Sequence, residues 1–209
     1  MPLRAVFFNV LFLLLCLAPP QPAGDKDPWL EMEKGLRPYH VENISYWYYC
    51  FIDKSERERI LALGVEQLNG LGEAPAESGL FLQEGYENGE MLLLVRGRDR
   101  QACLELRRRL EAVISRPPSA QAWSVEAYLE GRGDLELMGT GLARALGGRI
   151  QSIHAGPRMV QLLAYLPWAG EGLPLDEGAV NLQLELYRPT SSSKLRIRLG
   201  IPVLPSVPF

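Results

Sequence analysis

Every second residue is apolar along Val180, Leu182, Leu184 and Leu186, and again along Leu195, Ile197 and Leu199. A period of two belongs to the β-strand, whose successive side chains point to opposite faces, so both stretches must lie in a sheet with one buried face. The turn-forming residues 188–193, rich in Ser with one Pro, separate them as antiparallel neighbours. The apolar parity is expected to meet helices. The other parity carries Asn181, Gln183, Glu185, Tyr187, Lys194, Arg196 and Arg198, with Gln161 and Tyr165 from the strand before. From that set, Gln161, Tyr165, Gln183, Glu185, Tyr187, Arg196 and Arg198 are the candidate binding residues of an open sheet face.

The remaining elements alternate in type. Residues 44–52 are aromatic and β-branched, which favours a strand. Ser55 and Glu58 have the spacing of a capping box ahead of a helix carrying Ile60, Leu61, Gly64 and Leu68, which stops at Gly70-Leu71-Gly72. Residues 80–86 and 90–96 flank Asn88-Gly89, a strong hairpin turn. An amphipathic helix follows and ends at Pro117-Pro118. The pattern then restarts: a strand over residues 122–129, a helix capped by Asp134 with Leu135, Met138, Leu142 and Leu146 on one face, and a hairpin of residues 149–154 and 159–166. A step of 76 carries Trp47 onto Trp123 and Gly72 onto Gly148, which reads as an internal repeat. Two strand-helix-hairpin units joined in one antiparallel sheet with helices on one face make an α+β fold.

The N-terminus bears on location. Arg4 precedes 14 largely apolar residues, 5–18, which stop at Pro19-Pro20. That is short of the about 20 residues needed to cross a bilayer, and the pattern is that of a secretory signal peptide over residues 1–23. The expected location is extracytoplasmic. Residues 24–43 then form an N-terminal helix and linker, 44–116 the first repeat, and 117–209 the second repeat with a Pro-rich tail. Without residues 1–23 the chain holds 21 basic and 25 acidic residues, a balance of −4. Neither half is basic, which argues against nucleic acid as the main partner.

One window departs from this balance. Arg96, Arg98, Arg100, Arg107, Arg108, Arg109 and Arg116 face only Asp99, Glu105 and Glu111 in the same stretch. With Ala102, Cys103, Leu106 and Leu110 at helical spacing, the arginines are expected on the wet face, chiefly Arg100, Arg107 and Arg108, as a solvated surface or a contact for anionic lipid head groups or wall polymer.

The sequence offers little chemistry. His40 and His154 are its two histidines, and no His-x-x-x-His or Cys-x-x-Cys spacing occurs, so no metal or other cofactor is expected. Ser152 and His154 share a strand face but have no orienting acid or oxyanion site beside them in the sequence. Gly139-Thr140-Gly141 lacks the third glycine of a dinucleotide fingerprint and falls in a helix. Arg132-Gly133-Asp134 reads as a turn into a helix cap. Glu171, Asp176 and Glu177 form an acidic loop, the basis of a rival reading as a cell-wall hydrolase. Cys50 and Cys103 allow one intramolecular bridge or stand as two buried small side chains.

Several pieces together resemble the YwmB-like family, small exported proteins of spore-forming Firmicutes with a fold similar to TATA-box-binding protein. They are the signal peptide, the short helix at residues 28–35, the Trp-bearing first strand, Gly131 with its following helix, and residues 151–168, 181–186 and 199–203. The similarity spans nearly the whole mature chain. It implies a curved antiparallel sheet of two repeats, and it brings no established activity with it. The expected function is an exported, non-enzymatic binding or scaffold domain of the cell envelope, possessing a protein or wall-polymer partner and a link to sporulation.

Overall fold

The computed structural model describes residues 26–63, 66–67, 78–83, 90–130, 133–175, 178–190 and 192–202. It is α+β, with ten strands in antiparallel ladders and four α-helices among the described residues. The described chain divides into two compact units, one built on Ser45–Ala122 and the other on the described residues up to Ile44 together with those from Trp123 onward.

In the first unit, β1 (Glu42–Asp53), β2 (Glu66–Gln67), β3 (Gly79–Gln83) and β4 (Glu90–Gly97) lie in the order β2-β3-β4-β1, with only β2 parallel to its neighbour. The β1/β4 ladder sets Cys50 opposite Leu93 and Tyr49 opposite Leu94. One face carries Tyr48, Cys50 and Ile52. On the other, Trp47, Tyr49, Phe51, Phe81, Leu92 and Leu94 form a cluster with Ala120 and Ala122 of β5 (Ala120–Glu130). Both parities are buried, which is why the sequence there is a continuous apolar run rather than an alternation.

Helix α2 is shorter than the sequence pattern predicts: a 3₁₀ turn at Lys54–Glu56 leads into α2 (Arg57–Leu61), and Leu61 is exposed. Asp53 rather than Ser55 acts as the cap, its carboxylate accepting from Ser55 N at 2.7 Å. Buried Glu56 then accepts from Arg59 Nη1 at 3.3 Å and from Ser115 N at 3.2 Å, tying α2 to the chain that follows α3 (Arg100–Val113). Gly64, Leu68, Gly70-Leu71-Gly72, the Asn88-Gly89 turn and the signal and tail segments lie outside the described residues.

The second unit orders its strands β5-β11-β10-β7-β6, with β6 (Arg149–Ala155), β7 (Met159–Tyr165), β10 (Leu182–Tyr187) and β11 (Lys194–Ile201). The short pair β8 (Leu173–Leu175) and β9 (Gly178–Val180) stands apart as a two-stranded sheet. All seven residues of the predicted apolar parity, from Val180 to Leu199, are buried. Helix α4 (Leu135–Ala145), capped by Asp134 through Glu136 N and Leu137 N, covers that parity over β10 and β7. It sits so close that a Cβ at Gly139 would stand 2.8 Å from Leu186 Cδ1, and this close approach is the use of that glycine. Helix α1 (Pro28–Leu36) joins the same unit, Trp29 Nε1 donating to Ser124 O at 3.1 Å.

Asn181 corrects the parity rule. Expected on the outward face, it is fully buried just before β10 begins, where the strand alternation does not yet hold. Its carboxamide accepts from Leu166 N at 2.6 Å and donates to Leu166 O and Gly170 O, each at 2.9 Å. A leucine of similar size would orphan three backbone groups, so Asn181→Leu is expected to lower the unfolding free energy by about 2–4 kcal/mol, read by urea denaturation.

Candidate functional site

Register decides what the second unit shows on the face away from α4. Three cross-strand rows follow from the ladders. The first runs Ser124, Gly200, Gln183, Leu163, Ser152; the second Glu126, Arg198, Glu185, Gln161, His154; the third Tyr128, Arg196, Tyr187, Met159. Tyr165 lies further along β7 opposite Arg149, whose guanidinium stands 5.2 Å from the Tyr165 ring centroid. The seven candidate residues read from the sequence therefore share one face, and Glu126, Tyr128, His154 and Met159 complete it. Those four were legible by the same alternation once β5 and β6 are set beside their partners.

The face is charged yet internally compensated. Arg196 Nη2 donates to Glu126 Oε2 at 2.6 Å, and Tyr128 OH donates to Glu126 Oε1 at 3.1 Å. Gln183 Nε2 and Gln161 Nε2 both donate to Glu185 Oε1, at 2.8 and 3.4 Å. At one corner Lys194 Nζ lies 2.7 Å from Glu42 and 3.8 Å from Glu130. Burial acts to lower the pKa of Arg196, but the hydrogen bond and charge of Glu126 outweigh it and the net shift is upward. The Glu42 hydrogen bond and charge likewise hold the Lys194 ammonium in its protonated form.

An entirely open face is not what the fold provides. Gln183 is 1% exposed and Arg198 8%, while Gln161, Tyr165, Glu185 and Arg196 are half-buried and Tyr187 is 41% exposed. The compensating pairs bend long side chains toward one another along the sheet, and the accessible part is the side of the face around Tyr187.

The arginine-rich segment does not present a single wet face either. Arg96 belongs to β4, is buried, and lies over the rings of Trp47 and Phe81 at 5.4 and 4.6 Å. Arg107 packs over Tyr48 at 5.3 Å, with its Nε donating to Glu111 at 2.8 Å. Arg100, in the first turn of α3, is half-buried, whereas Arg108 is exposed and 3.9 Å from Glu105. Aromatic rings of the sheet beneath attract the guanidinium groups that face inward.

The other candidates disperse. Ser152 is half-buried and His154 exposed on β6. Glu171 is exposed, and Asp176 and Glu177 lie outside the described residues, as does Arg132. Among the described residues no three His, Cys, Asp or Glu side chains cluster to hold a metal ion, and no helix is long and apolar enough to cross a membrane. No family model matches the chain, and no curated protein matches it.

Cys50 and Cys103 are both free thiols, of which Cys50 lies beside Tyr48, while Cys103 Sγ is 3.4 Å from Ser78 Oγ. Burial pushes Cys50 up to about 12 and Cys103 up to about 11. Because the folded pKa exceeds the unfolded one, stability is intact below the unfolded value and falls as pH rises toward the folded one. Urea denaturation is expected to show a loss approaching about 1.4 kcal/mol per pH unit from Cys50 above pH about 9. Neither thiol should react with a disulfide reagent at pH about 8 until the chain unfolds.

Proposed function

We propose that this protein is an exported, non-enzymatic binding or scaffold domain of the bacterial cell envelope, which engages a protein or wall polymer through the polar face of its second unit. The observation that carries this reading is the row Glu126, Arg198, Glu185, Gln161, His154: five polar side chains in register across five strands. Polar groups held in fixed positions by one another suit recognition, because a partner meets them already oriented. The N-terminal pattern of Arg4 followed by residues 5–18 supports export, and the mildly acidic balance supports a partner other than nucleic acid. The resemblance to YwmB-like proteins supports an envelope setting and a role around sporulation. It also favours a common origin of the two units as strand-helix-hairpin modules, as in TATA-box-binding-protein-like folds. Peripheral contact with anionic surfaces through exposed Arg108 and Arg109 is compatible with this role.

Two measurements test it. N-terminal sequencing of protein recovered from the culture medium or envelope fraction should find the new terminus near residue 24; a full-length cytoplasmic chain would refute export. Affinity capture from envelope extract should lose its partner in Tyr187→Ala, at an exposed position, and in Glu185→Ala, at a half-buried one, and keep it in Leu137→Ala, on the exposed side of α4. Equal capture by all three variants would remove the sheet face as the binding surface. A steep loss of capture between about 50 and about 200 mM salt would instead reveal a polyanion.

A further inference from the structure

Four large apolar side chains are exposed among the described residues, Leu61, Leu137, Met159 and Tyr187. The last two are direct cross-strand partners, Tyr187 41% exposed on β10 and Met159 43% exposed on β7. They form an apolar step at the accessible side of an otherwise polar sheet face. Next to this step, one row further along the strands, come Glu185, Gln161 and His154. Across from Tyr187 on its other side is Arg196.

The two charged side chains of the face nearest this step, Arg196 and Glu185, already have partners within it. Arg196 is held by Glu126, and Glu185 is held by Gln161 and Gln183. A charged ligand would have to displace one of these contacts and leave its partner behind, which costs free energy. An uncharged ligand with many hydroxyls and one apolar side has no such conflict. It can place its C–H face on the Tyr187 ring and the Met159 thioether, and bond to the remaining lone pairs and N–H groups of Glu185, Gln161 and His154. The spacing also suits a chain rather than a single small molecule. Neighbouring strands stand about 4.8 Å apart, so the row advances by one polar side chain per strand at a step comparable with one sugar unit of an extended glycan.

We propose that the Tyr187–Met159 step, with Gln161, Glu185 and His154, binds an uncharged polysaccharide strand running across β10, β7 and β6, one sugar ring stacking on Tyr187. This rests on the reading of the polar face as the binding surface and gives its partner a chemical class. Stacking supplies the apolar contact, and the carboxamide, carboxylate and imidazole supply orientation.

The test titrates the full mature chain with two soluble uncharged probes, the tetramers of N-acetylglucosamine and of glucose, by NMR of the Met methyl and Tyr ring signals. At least one tetramer should give saturable shifts at Met159 and Tyr187, with affinity changing by less than about twofold between about 50 and about 200 mM salt. Tyr187→Ala and Gln161→Ala should each weaken it by about tenfold, and Tyr187→Phe should retain it. Dispersed amide spectra of each variant verify folding. Absence of saturable shifts with both tetramers overturns the proposal. If Tyr187→Ala then still abolishes capture from envelope extract, the face binds a protein and only the glycan assignment fails. If capture is also unchanged, the binding face itself is refuted.

Discussion

The pairing of Leu184 with Leu199 and of Glu185 with Arg198 settles both faces of the second unit at once. Because side chains alternate strictly, a slip by one residue would turn Leu184 and Ile197 to water and drive Glu185 and Arg198 into the apolar interior. The cost of that inversion fixes the register, and the register in turn aligns residues that are far apart in sequence. Glu126 and His154 stand at the two ends of one row only because the four ladders between them agree.

How far this was legible follows from the same periodicity. The apolar parity from Val180 to Leu199 was readable residue by residue, since each position is decided by one local alternation. Asp134 as a helix cap was readable for a similar reason, its carboxylate needing only the next few backbone N–H groups. Asn181 was not, because its three bonds run to Leu166 and Gly170, which alternation along β10 does not mention. Nor was the burial of Gln183 and Arg198, which depends on how long side chains settle beside their neighbours. In the arginine-rich window, charge count suggested a wet helix face, yet Arg107 lies on Tyr48 and Arg96 on Trp47 and Phe81. A guanidinium carries enough flat, weakly hydrated surface to pack on rings, so its charge alone does not place it in water.

The two units use their sheets differently. In the first, Tyr48 and Tyr49 are both buried, so neither parity of β1 is left to a polar partner. In the second, one parity is apolar and the other is a hydrogen-bonded lattice of Glu, Gln, Arg and Tyr. That contrast leaves the polar parity to the strands from β5 to β6, while the first unit holds a dense aromatic core around Trp47 and Tyr49, whose rings lie 6.2 Å apart and nearly parallel.

The two thiols carry a consequence for the proposed export. An exported chain is threaded as an extended polymer into a space where oxidants act on any accessible sulfur. Cys50 sits in the middle of β1 and Cys103 in the first turn of α3, and the native form keeps them as separate reduced groups. On the proposed export route both sulfurs would be shielded only once the first unit has packed around them, since each is fully buried in the native form.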